Sequence, residues 1–204
     1  MIPIKDSKAT KIKRAATKLF LKQGYKQTSV ADLAKAADSS QVTIYKYFGS
    51  KQNLAHQVVL DLVTDGYDKF QKFVDDDSLS FPELAKKMIF ESHSETENMN
   101  LDFADFLMKD LQGQFGSDEA MQVYQHGKVK FWEGVITRGR RDGFIKPEIS
   151  NQAVMTYLDM FIQYYSNAKA NGNPGPTANG YLPISEEMTQ LFFYGLMGKQ
   201  PKNS

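Results

Sequence analysis

The chain has no cysteine among its 204 residues, which excludes disulfides, thiolate metal sites and a cysteine nucleophile. Histidine is scarce. The three, His56, His93 and His126, include no pair at helical i,i+4 ligand spacing. His93 beside Glu91 and Glu95, or His126, suggests a metal or an acid–base pair at most, and surface histidines are the expected reading. No Gly-rich phosphate loop followed by Lys is present, no internal repeat, and no nucleophile–base pair. Neither an enzyme, nor a metal, nor a cofactor is therefore expected. No apolar run reaches the ~20 residues of a membrane span, and M-I-P-I-K-D-S-K lacks the apolar core of a signal peptide. A cytoplasmic protein with no membrane attachment is the expectation. Sustained period-two alternation is also missing, so the expected fold class is all-α.

Net charge is nearly absent too, at +1, but its distribution is uneven. Residues 1–56 carry eleven Lys and Arg against three Asp, a net of +8, and the remainder carries −7. A basic head on an acidic body is the electrostatic footprint of a module that meets phosphate beside one that does not. Lys-rich helices that are merely soluble account for the lysines but not for the scarcity of acids among them.

The basic segment divides into helices. Ile12, Ala15, Ala16, Leu19 and Phe20 recur at helical spacing from about residue 7 to 22, with Gly24 as the stop. Val30, Leu33, Ala34 and Ala37 form a second apolar stripe, capped by Thr28 or Ser29, with Asp32 placed to complete a capping box. Asp38 stands where the chain must leave that helix, and Asp tolerates the left-handed region better than most residues. A third helix begins at Ser39 or Ser40. Ile44 and Phe48 lie on its inner side, leaving Gln41, Val42, Thr43, Tyr45 and Lys46 outward. Two short helices and a tight turn have the shape that enters a DNA major groove, and this outward set offers what base edges and phosphates require.

Beyond Gly49-Ser50 a connector helix is expected from Lys51 to the acid run at 75–77. Further helices are expected from Ser80 to about His93, from Leu101 to Leu111, from Ser117 with a stripe of Val129, Trp132, Val135 and Ile136, from Ser150 to about 170, and from Ser185 onward. A Gly- and Pro-rich loop fills 171–183.

Ala15-Ala16, Leu19-Phe20, Gly24-Tyr25, Thr28-Ser29-Val30, Leu33-Ala34, T-I-Y-K-Y-F from Thr43 to Phe48, and Ser50-Lys51 with Leu54 together resemble the head of the tetracycline-repressor (TetR-like) family of bacterial transcription regulators. The resemblance covers about residues 8–56. Asp38 and Ser39 stand where the family usually has Gly and Val. The resemblance implies a helix-turn-helix DNA-binding domain at 1–52 and a helical effector-binding and dimerisation domain at 53–204. It also implies that Gln41, Val42 and Thr43 face bases, while Ser40, Tyr45, Lys46, Thr28 and Lys51 hold phosphates. Tyr47 and Phe48 read as core. Lys5 and Lys8 belong to an arm that either tracks the DNA backbone or stays clear of it.

In the body, Phe103, Phe106, Tyr124, Trp132, Tyr157 and Phe161 are the candidate effector-binding residues. The same spacing fits ordinary core, residue by residue. The implied function is a homodimeric repressor on double-stranded, palindromic DNA, released by a largely apolar or aromatic small molecule, with the dimer built from the last two long helices. Control by a protein partner, or action as an activator, are the alternatives.

Overall fold

The computed structural model describes residues 7–85, 87, 99–166 and 195, with backbone only at 158 and 161–166. The described residues form helices and no strand: α1 (Lys8–Gln23), α2 (Val30–Ala36), α3 (Gln41–Phe48), α4 (Lys51–Val74), α5 (Leu101–Leu111), α6 (Glu119–Arg141) and α7 (Asn151–Ser166), with helical residues also at 81–85. The boundaries follow local chemistry. Ser7 accepts from Thr10 N at the start of α1, Asn100 from Asp102 N at the start of α5, and Ser150 from Ala153 N at the start of α7. Each satisfies a backbone N–H that no helical carbonyl reaches. The expected helix from Ser80 is present in its first turns, with the Glu83 carboxylate accepting from Ser80 N at 2.8 Å. Its remainder, the 171–183 loop, the helix from Ser185, Lys5, Glu91, His93 and Glu95 lie outside the described residues.

Packing divides the chain into two compact units, Met1–Thr64 with Asn98–Tyr124 and Asp65–Glu97 with Gln125–Ser204. The first has one core, in which Ile12, Ala16 and Phe20 of α1 meet Leu33 of α2, Ile44 of α3, Leu54 and Val58 of α4, and Phe103 and Phe106 of α5. Phe20 stacks on Phe103 at 5.3 Å, and Tyr25 stacks on Phe106 at 4.4 Å. At about 1.5–3 kcal/mol for each large side chain fully buried, these contacts dominate the unit's stability. Gly24 is required here twice over. Its φ of +90° is left-handed, and a Cβ would stand 2.5 Å from Asn100 Oδ1. That close approach seats the start of α5 on the α1–α2 turn, where Asn100 N donates to Leu21 O and Lys26 N to Asp102 Oδ2.

The second unit is built on Val74, Phe81, Leu84, Phe131, Val135, Ile136, Ile145 and Val154. Val129 is not part of it. The buried arc of α6 runs through Lys128, Phe131, Val135 and Arg138, so Val129 sits at its edge, 42% exposed. Lys128 can take the inward place because Asp159 of α7 neutralises it at 2.6 Å. Arg138 is likewise buried, and its guanidinium donates to the carbonyls of Phe73, Val74 and Leu79. The first two are orphan acceptors at the end of α4, which a planar fork of donors satisfies.

Candidate nucleic-acid interface

Helix α3 is short and capped at both ends. Ser40 accepts from Thr43 N at 3.1 Å, and Gly49, with φ +74°, closes the helix by donating to Tyr45 O. Asp38 adopts φ +48°, the left-handed conformation expected of it, and Ser39 N then bonds Ala34 O. The turn thus redirects the chain so that Ile44 alone of α3 is fully buried. Gln41, Val42, Tyr45, Lys46 and Tyr47 are exposed, Val42 at 78%, and Thr43 is half-buried. The Gln41 amide, the Val42 methyls, the Tyr45 phenol and the Lys46 ammonium therefore share one outward surface on the basic segment, while Tyr47 is exposed off that arc, in a cleft with Asn53 and His56. Such a set can donate to phosphate and meet base edges and a thymine methyl.

Helix α2 braces α3 through its own cap. Ser29 and Asp32 form the full capping box, with Ser29 N donating to Asp32 Oδ2 at 3.1 Å and Asp32 N to Ser29 Oγ at 3.1 Å. The hydrogen bonds from Ser29 hold the Asp32 carboxyl below its ordinary value.

Several residues stand otherwise than the sequence suggests. Thr28 is wholly buried, its hydroxyl donating to Gly24 O at 2.6 Å, so that hydroxyl belongs to the turn and not to a phosphate. Lys51 is also engaged. Its ammonium donates to Tyr25 O and Thr28 O, each at 3.0 Å, and lies 4.2 Å above the Tyr25 ring; burial pushes its pKa down. Lys51 in this arrangement clamps the α1–α2 turn. Tyr47, expected in the core, is 51% exposed because α3 presents only the Ile44 face and, in part, Phe48 inward. Nor is His56 a surface histidine. It lies between Asp110 and Glu119, partners 54 and 63 residues away that no local spacing reveals.

Residues 12–58 match the family described as bacterial regulatory proteins, tetR family. The HTH-type transcriptional regulator YhgD of Bacillus subtilis (strain 168) is 26% identical over 151 residues, 74% of this chain and 78% of that protein. Together these matches support a TetR-like transcriptional regulator. The HTH-type transcriptional repressor KstR2 of Rhodococcus jostii (strain RHA1) is 22% identical to this chain over 157 residues, 76% of each. Two solved structures share the chain's fold at 18% identity. The fatty acid degradation regulator FadR of Bacillus halodurans has a TM-score of 0.62 over 94% of this chain and 97% of its own. FadR of Bacillus subtilis in complex with stearoyl-CoA has a TM-score of 0.59 over 91% and 97%. The sequence relatives named are regulators of transcription, not enzymes.

The six candidate effector residues do not form one group in this chain. Phe103 and Phe106 belong to the core of the first unit, as the helical stripe allows. Tyr124 lies at that unit's last residue. Trp132 and Tyr157 pack on the core of the second unit, where Phe131 and Trp132 meet edge to face at 5.2 Å. The side chain of Phe161 lies outside the described residues. Among the described residues no cluster of His, Asp or Glu is arranged to hold a metal, and no helix is long and apolar enough to cross a membrane.

Proposed function

We propose that this protein is a homodimeric repressor that binds a palindromic operator through α3 and is released from it by a small apolar or aromatic effector. The observation that carries the reading is the outward face of α3, where Gln41, Val42, Tyr45 and Lys46 stand exposed on a segment of net charge +8. Gln41 and Val42 address base edges; Tyr45, Lys46 and Tyr47 address phosphates. Thr43 reaches bases from its half-buried place, Ser40 serves first as the cap, and Thr28 and Lys51 act by holding the turn that seats α2. In functional terms the DNA-binding domain is 1–52 and the effector-binding and dimerisation domain 53–204. Two copies place two α3 helices on successive major-groove faces, about 34–36 Å apart or a multiple of that.

The effector reading rests on the aromatic cluster of the second unit, in which Tyr67, Phe70, Phe131 and Trp132 lie with ring centroids 5.2–6.2 Å apart. Stearoyl-CoA in the Bacillus subtilis FadR structure is an occupant with a long apolar part, in keeping with such walls. Helix α4 runs unbroken from Lys51 to Val74, and we take it as the element through which an effector acts on α3. An effector can move operator affinity only by its differential affinity for two states, typically ~1–3 kcal/mol. The test is a titration of the dimer on a duplex selected from random DNA, with Trp132 fluorescence read alongside. Quenching of Trp132 with unchanged operator affinity at saturation defeats the release mechanism, and a monomer at micromolar concentration defeats the dimer.

A further inference from the structure

Helix α5 is attached to the first unit at three places. Its start is held by Asn100 and Asp102 on the α1–α2 turn, its middle by Phe103 and Phe106 stacked on Phe20 and Tyr25, and its end by Asp110 on His56 of α4. The last of these differs from the others because it depends on a proton. His56 Nδ1 lies 3.0 and 2.8 Å from the two oxygens of Asp110, and Nε2 lies 3.1 Å from Glu119 Oε2 in the first turn of α6. Both ring nitrogens therefore face carboxylates, which only accept. A neutral imidazole has one N–H and can serve only one of them, whereas an imidazolium serves both. The Asp110 side chain is 1% exposed and the Glu119 side chain 57%. Losing the proton thus leaves the N–H with the buried Asp110 and frees Glu119 to turn to water, since an unpaired buried carboxylate is the costlier outcome.

The release occurs beside the recognition helix. Tyr47 and Phe48 at the end of α3, Asn53, His56 and Gln57 of α4, and Glu119 line one cleft of about 430 Å³. Asp110 from α5, Glu119 from α6 and the Tyr47 phenol from α3 are the titratable groups around His56; Asn53, Gln57 and Ser117 carry no charge. We infer that His56 is a positioning residue for operator binding: protonated, it pins α4 to α5 and α6 and seats the end of α3, and deprotonated it lets the start of α6 go. The inference rests on the proposed DNA-binding role of α3.

Burial works against the charge on His56, but hydrogen bonds to Glu119 and Asp110 and their charges outweigh it and hold its pKa above the ordinary imidazole value. A raised folded-state pKa contributes stability that is fully present below the ordinary value and is lost as pH rises through the raised one. The experiment measures the unfolding temperature of the full chain, and its affinity for a selected duplex, between about pH 6 and 9. In the wild type both fall as pH rises, affinity by at most about tenfold per pH unit, the limit for one linked proton. His56→Gln flattens both profiles. Glu119→Gln, at an exposed position, moves their midpoint to lower pH, and it decides the matter should His56→Gln fail to fold. Flat wild-type profiles, a His56→Gln slope equal to the wild type, or an unmoved midpoint in Glu119→Gln overturn the inference. If no duplex is selected at any pH, the DNA-binding reading fails, while the unfolding profiles still test the pin.

Discussion

The two compact units bury opposite charges. In the first, the carboxylate of Asp110 is enclosed and answered by His56, and Asp102 is drawn on by Lys26. In the second, the enclosed groups are cations, Arg138 at 4% and Lys128 at 6% exposure, answered by backbone carbonyls and Asp159. Within residues 1–56, Lys46 of α3 stands exposed, while Lys13, Lys26 and Lys51 are engaged by Asp61, Asp102 and backbone carbonyls. Net charge along a chain does not give the sign it encloses, which depends on which side chains its helices bring together.

The sharpest way to break this comparison is ionic strength. If the surplus positive charge of residues 1–56 faces DNA, neutralising 6–10 phosphates makes affinity fall by about 10³–10⁵ as salt rises from ~50 to ~200 mM. A flat response in a filter-binding or anisotropy series ends the assignment of α3. Next in size is the buried cation of the second unit. Arg138→Met leaves the carbonyls of Phe73, Val74 and Leu79 unanswered and is expected to lower unfolding free energy by about 3–5 kcal/mol in urea titrations. Operator affinity per folded molecule stays unchanged, because the loss is confined to stability. Within the first unit, Gln41→Ala is expected to relax preference at particular base pairs by roughly 1–3 kcal/mol with no change in unfolding temperature. Competition between operator variants reads this out, and unaltered preferences remove Gln41 from the readout set. The smallest effect concerns the turn. Asp38→Gly removes the cost of φ +48° and is expected to stabilise the first unit by up to about 1 kcal/mol. A lower unfolding temperature shows instead that the Asp38 side chain is needed there.

Lys51 shows how far a motif leads. Its place in S-K-x-x-L suggests a phosphate ligand, yet its ammonium is spent on Tyr25 O and Thr28 O, residues 26 and 23 positions earlier. Phe103 and Phe106 show the same limit from the other side. They read as helical aromatics of the body, and only packing shows that they complete the core of the head.

What could be read directly from the chain is whatever acts within about one helical turn: the apolar stripes of α1 and α2, the Ser7, Ser29 and Ser40 caps, the left-handed Asp38, and the outward face of α3. These depend on neighbours at i+3 and i+4, so residue order is enough to predict them. The clamp of Lys51, the burial of Thr28, the pairing of His56 with Asp110 and Glu119, and the enclosed Arg138 depend on segments 23 to 65 residues apart. Their partners are chosen by which helices meet, and that choice is made by the collective burial of apolar surface, which carries no record of partnership in any single stretch of sequence.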